Sequence, residues 1–144
     1  MPREVMRNIY RIPVPLPNNP LRELNCYLIR GKDRSLLIDT GFRQETCRRA
    51  LFDGLRELNV RMEDTDILLT HLHSDHTGLL PEVASASSRV FLDDLDRDWI
   101  VGSTRFELER QEDARFAMAG IPPEMLRIAS QTHPGRCFAP AVKK

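Results

Sequence analysis

The stretch Asp66-Ile67-Leu68-Leu69-Thr70-His71-Leu72-His73-Ser74-Asp75-His76-Thr77-Gly78 decides how this chain folds and what it can bind. Its first part is a short apolar run without helical period, the pattern of a buried strand. Its second part holds three of the chain's four histidines within six positions, interleaved with one aspartate. Neutral imidazole and carboxylate are the usual nitrogen and oxygen donors to zinc and related divalent ions. If the strand runs to His71, alternation sends His71 and His73 to the same side. The turn that follows then brings Asp75 and His76 into the same small volume. A polar loop holding such a cluster unpaired would be costly, so the stretch is read as a metal site with His71, His73, Asp75 and His76 as ligands.

Working outward, residues 8–16 alternate apolar and polar side chains, and the prolines among them restrict this segment to an edge strand or a strand start. Residues 24–30 and 35–39 read as two further strands, joined by a short hairpin connection over 31–34. Residues 43–59 form the clearest helix, with Cys47, Ala50, Leu51, Leu55 and Leu58 on one face and charges on the other. After the histidine run, residues 78–86 turn into helix and 89–92 make a short strand. Residues 93–120 are charged and helix-prone, with Trp99, Phe106 and Phe116 scattered along them. This segment is either a lid over a small acyl substrate or an ordinary surface helix. A further helix starts at Pro122-Pro123-Glu124, and much of residues 133–144 is expected to be irregular. Alternating strands and helices predict an α/β layered fold: a mixed sheet with helices on one face.

Composition narrows the function. At 144 residues a single domain spanning 1–144 is expected. Lys+Arg and Asp+Glu balance at 21 each, which gives no general electrostatic reason to bind nucleic acid or an anionic membrane. No apolar run approaches the roughly 20 residues of a membrane span, and residues 1–7 hold no signal-like apolar core. Cys26, Cys47 and Cys137 are an odd, widely spaced set, so a disulfide framework is not expected; Cys26 and Cys47 read as small core residues. The reading is a cytoplasmic protein acting on a small-molecule substrate.

These residues carry a resemblance. His71-Leu72-His73-Ser74-Asp75-His76-Thr77-Gly78 resembles the HxHxDH signature of the metallo-β-lactamase superfamily, and Leu37-Ile38-Asp39-Thr40-Gly41 resembles the aspartate-bearing strand end that precedes it. The resemblance runs from about Ile9 to Leu92. It implies an αββα sandwich with two metal ions at one edge, of which this chain supplies roughly the first half. It further implies that His71 and His73 hold one ion and Asp75 and His76 the other. Asp39 would lie behind them as an orienting carboxylate, the alternative being a turn aspartate that caps local backbone donors. Histidine rather than glutamate at position 73 is similar to the hydrolytic, zinc-type branch, though iron and manganese accept the same ligand types.

The implied activity is metal-dependent hydrolysis of an ester, thioester or phosphoester by activated water, with Asp75 orienting the nucleophile. Neutral net charge counts against a nuclease. The family also supplies a third histidine, a bridging aspartate and a last histidine from its second half. Here only His133 follows, either as that third histidine or as a loop residue, and no aspartate or histidine comes after it. The sequence is therefore expected to be a domain truncated at its C-terminus. The competing expectation is a non-catalytic metal-binding domain. A half-sandwich exposes an apolar sheet face, which favours association, so a homodimer or a complex with the missing half is predicted.

Overall fold

Ile12, Val14 and Leu16, followed by Leu24, Cys26 and Leu28, are all buried while their chain neighbours are not. That two-residue period lays down one face of a sheet. The computed structural model describes residues 1–101 and 103–138, apart from the side chains at 99, 101, 103–108, 134 and 135. The elements in chain order are β1 (Arg3–Met6), β2 (Ile9–Pro15), β3 (Glu23–Ile29), β4 (Ser35–Ile38), α1 (Glu45–Glu57), a 3-10 turn (Met62–Asp64), β5 (Thr65–Leu68), α2 (Ser74–Thr77), α3 (Leu80–Val83), β6 (Val90–Phe91), α4 (Asp94–Val101), α5 (Ser103–Met118), α6 (Pro123–Thr132) and α7 (Pro134–Cys137).

The six strands form one mixed sheet in chain order. β1 to β4 pair antiparallel, while β4–β5 and β5–β6 are parallel. The register lines up Leu28, Leu37, Ile67 and Val90 in one row across four strands. The first three are fully buried beneath the helical layer. α1 makes the parallel crossover from β4 to β5. It lays Cys47, Leu51 and Leu55 on the sheet, the stripe expected of an amphipathic helix. The expected mixed sheet with a helical face is what the structure has.

Three local expectations need correcting. β2 is not an edge strand, because β1 pairs with residues 9–11. Its prolines are tolerated because Pro13 and Pro15 lie beyond that pairing and meet only β3. The expected strand over Asp66–Thr70 begins at Thr65 and stops at Leu68, short of the histidines. The single helix expected over 93–120 is divided into α4 and α5. The lid idea fell on Trp99 and Phe106, whose side chains lie outside the described residues, and Phe116 is half exposed. In the tail expected to be largely irregular, residues 134–137 form a helical turn, and residues 139–144 lie outside the described residues. His133 begins the turn by accepting the amides of Arg136 and Cys137 at 2.9 and 3.0 Å.

Because β4 and β5 run parallel, their C-terminal ends emerge at the same sheet edge. In open α/β sheets this is where ligands bind. Asp39 follows β4 there and the histidine run follows β5.

Candidate metal centre

Two short segments build the site, and backbone hydrogen bonds lock them together. Asp39 has a left-handed backbone (φ +60°), a conformation aspartate tolerates better than most residues. Its amide donates to the Leu68 carbonyl at 2.9 Å, which joins the ends of β4 and β5. Thr40 then donates to the His76 carbonyl from both its amide and its hydroxyl, each at 2.8 Å. Gly41 (φ +115°) follows, and a Cβ there would stand 3.0 Å from Val14. Gly78 is required by close approach instead. A Cβ there would fall 2.6 Å from the Arg43 amide, the Phe138 carbonyl and the Ser74 carbonyl. Residues 39–43 therefore clasp α2 from one side.

The histidines lie on the connection after β5 and on α2, not on a strand. They converge because the chain turns, not through strand alternation. His73 is the N-cap of α2, and its carbonyl accepts the amides of His76 and Thr77 at 2.9 and 3.1 Å. This turn brings the rings of His71 and His73 to 4.6 Å and those of His71 and His76 to 4.0 Å, centre to centre. His71 Nε2 stands 3.0 Å from His73 Nδ1. His76 Nε2 stands 3.5 Å from an Asp75 carboxylate oxygen. The four residues singled out in the sequence thus come together as two pairs. Among the described residues, no group of three or more His, Cys, Asp or Glu side chains is placed to hold a metal ion. His133 lies between α6 and α7, and α7 packs against α2.

Asp39 is the anchor of the cluster. It is 3% exposed and accepts the Thr70 amide at 2.9 Å, the Thr70 hydroxyl at 2.9 Å and the His76 Nδ1–H at 2.8 Å. Of its two sequence readings, both find a contact: it caps a backbone amide and it faces an imidazole. Burial works against its carboxylate, but the bonds from His76 and Thr70 outweigh burial and hold the carboxyl below its usual range. His76 responds in kind. Desolvation opposes its cationic form, yet the Asp39 contact overcomes this and raises the imidazole. His71 is lowered, first by desolvation and then by its neighbours His76 and His73. The pair Asp39–His76 therefore fixes the proton on Nδ1 and leaves Nε2 as the outward nitrogen.

The cysteines play no part here. Cys26 and Cys47 are free and buried, and burial pushes both thiols up, as expected of core residues. Two contributors were not singled out in the sequence. Thr70 fills Asp39's remaining acceptor sites, and Asp96 of α4 accepts the Leu72 amide at 3.0 Å. A hydroxyl beside a ligand run and one acid among many carry no pattern of their own.

The same segment recurs in known proteins. Residues 20–88 match the sequence model of the metallo-beta-lactamase superfamily. These residues belong to that superfamily. The chain is 38% identical over 71 residues to the probable metallo-hydrolase YqjP of Bacillus subtilis, a match covering 49% of this chain and 21% of that protein. It is 34% identical over 116 residues to the lactamase-like protein adaB of Aspergillus niger, covering 74% and 35%. A metallo-beta-lactamase family protein from Thermus thermophilus superposes with a TM-score of 0.66 and 30% identity, over 97% of this chain and 48% of that one. The fold is thus a metallo-β-lactamase fold over the part shared. The chain spans about a fifth to a third of these two curated relatives. Among the described residues no helix is long and apolar enough to cross a membrane.

Proposed function

We propose that this chain carries part of the active centre of a metal-dependent hydrolase, with His71 and His73 sharing one ion and Asp75 and His76 a second. The observation that carries this is the pairing of donors. Two nitrogens on one tetrahedral zinc with bonds of about 2.0–2.1 Å stand roughly 3.3 Å apart. The separations of 3.0 Å for His71–His73 and 3.5 Å for His76–Asp75 bracket that value, which supports each pair as two donors to one ion. Asp39 holds the His76 ring in the tautomer that offers Nε2, the usual work of a carboxylate behind a ligand histidine. Bound zinc would supply a Lewis acid and a water that ionises near neutral pH.

The remaining chemistry belongs to this chain's own side chains. Asp75 offers an acceptor-only carboxylate next to the outward nitrogen of His76, positioned to orient an incoming hydroxyl group. Thr70 and Asp39 keep the two histidines on either side of Thr70 at fixed angles. The substrate class favoured is a small ester, thioester or phosphoester, and a reduced, cytoplasmic setting suits the free cysteines. Imidazole-dominated donors suit zinc or iron better than manganese, and zinc is favoured by the histidine, rather than glutamate, at position 73.

A second reading, a domain that binds metal without turnover, is favoured by one specific observation. The donors come as pairs without a third partner among the described residues. Further donors would then come from a second copy or from additional polypeptide. The sheet face opposite α1 carries Tyr27, Ile38, Leu68 and Phe91 in a single half-exposed row, a surface suited to such a partner. Metal analysis of purified protein with assays on a thioester and a phosphodiester separates the two readings. Two ions per chain with turnover support the hydrolase, and one ion without turnover supports the binding domain. A monodisperse monomer in light scattering overturns the partner.

A further inference from the structure

Leu72 is the one residue between His71 and His73, so its backbone torsions set how the two imidazoles face each other. Both of its peptide groups are held from outside the loop. Its carbonyl accepts the Thr77 hydroxyl at 3.3 Å, and its amide donates to an Asp96 carboxylate oxygen at 3.0 Å. Asp96 belongs to the first turn of α4, yet the start of that helix is already served. Asp93 accepts the Leu95 amide at 2.9 Å through its side chain and the Arg97 amide at 2.9 Å through its carbonyl. Asp94 pairs with Arg97 at 3.0 Å. Asp96 instead reaches across to a loop that lies 24 residues earlier in the chain.

We infer that Asp96 is a positioning residue for the His71–His73 donor pair, acting through the Leu72 amide. The inference rests on the metal reading given above. The alternative is that Asp96 merely places negative charge in the first turn of α4, where the helix dipole favours it. The two roles require different properties of the side chain. Gripping an amide needs an acceptor oxygen, which asparagine keeps. Complementing a dipole needs charge, which asparagine lacks.

Cobalt(II) titration of the wild type, D96A and D96N, followed by the visible absorption of the bound ion, tests this. Hydrogen exchange at the Leu72 amide in the metal-free proteins is the second readout. D96A is expected to bind cobalt about tenfold more weakly, the lower end for loss of a supporting contact behind metal ligands, with an altered spectrum and faster Leu72 exchange. D96N is expected to restore all three. D94A, which removes a first-turn carboxylate remote from the loop, should match the wild type. Equal weakening in D96A and D96N, or a D96A protein indistinguishable from wild type, overturns the role. A wild type that takes up no cobalt overturns the metal reading and this role with it. A cobalt-binding wild type with an unaffected D96A overturns this role alone.

Discussion

Asp39, just past the end of β4, and Asp66, within β5, are the same residue type, and they are 3% and 4% exposed. Their partners make them different objects. Asp66 collects Arg34 through Nε and Nη2 at 3.0 and 2.8 Å, the Arg89 amide at 3.1 Å, and the Arg89 guanidinium through Nε at 3.0 Å and a closer Nη2 contact. Guanidinium is charged at every accessible pH, so this carboxylate is neutralised permanently. Its carboxyl is held far below the usual range by Arg89 first and Arg34 second. Arg34 also reaches the carbonyls of Glu63 and Ser87, so the cluster stitches the hairpin, the 3-10 turn and the entry to β6 together. Asp39 faces an imidazole and a hydroxyl instead. The imidazole can gain or lose a proton, and both partners offer another atom to a ligand. A buried carboxylate matched by fixed cations is scaffold; one matched by an imidazole is available for chemistry.

The largest effect is expected at the scaffold end. Asp66→Ala leaves two guanidiniums without their shared acceptor, and breaking one side of such a cluster is strongly destabilising. Its thermal midpoint should fall below those of D39N and Thr70→Val, while zinc affinity per folded molecule stays at the wild-type value. A folded D66A protein with weakened zinc binding would erase the distinction. Asp39→Asn should do the reverse. Asparagine still accepts the Thr70 amide, but its NH2 donates to His76 Nδ1 and drives the ring proton onto Nε2, the nitrogen needed for metal. Zinc binding measured by calorimetry should weaken about 10–100-fold, while the metal-free protein loses far less of its thermal midpoint than D66A does.

The site end of this comparison was legible in the sequence and the scaffold end was not. His71, His73, Asp75 and His76 sit within six positions, so local geometry alone brings them close, and Asp39 entered through the resemblance carried by residues 37–41. Alternation at 12–16 and 24–28 and the stripe Cys47, Leu51, Leu55 likewise gave sheet and helix directly. Asp66 reads in sequence as one polar residue at the start of a strand, because its arginines lie 32 positions before it and 23 after it. Contacts of that range leave no periodic trace. β1 escaped notice for a related reason: its four residues are all exposed, so burial imposes no pattern on them. Strand alternation was a poor guide to His71 and His73, since β5 ends at Leu68 and the turn into α2 does the converging.

Acidity should separate the two carboxylates next. In the metal-free protein the raised His76 contributes stability that is fully present below its ordinary value of about 6.5 and is lost as pH rises through its folded value. The lowered Asp39 contributes stability present above about 3.9 and lost as pH falls through its folded value. Their pair is therefore intact in mildly acidic solution and weakens above pH 6.5. The lowered His71 works with opposite sign, costing stability only as it is forced to protonate in acid. The Asp66 contribution is constant across that window and is lost only as pH falls below the ordinary carboxylate range. Thermal midpoints of metal-free wild type and D39N should converge as pH rises above about 6.5 and through the folded value of His76, whereas the gap between wild type and D66A should hold. A wild type–D39N gap that stays constant over this range would assign His76 no share in the pair.

The smallest effect is expected at Thr70, and it tests how finely Asp39 is tuned. Its hydroxyl donates to Asp39 and lies 3.1 and 3.2 Å from the Nδ1 atoms of His71 and His76. Thr70→Val keeps the shape and the backbone amide that binds Asp39, and it removes this one bridging oxygen. Only part of this contact's worth reaches the metal, so zinc affinity should fall roughly fivefold, about 1 kcal/mol, less than in D39N. The double variant Thr70→Val with Asp39→Asn distinguishes a chain of contacts from two separate ones. If the hydroxyl acts by steadying the Asp39 carboxylate, its removal in the D39N background should cost less than in the wild type. Additive losses would mean that Thr70 acts on His71 directly, and the control of the site would then be divided between two side chains instead of converging on Asp39.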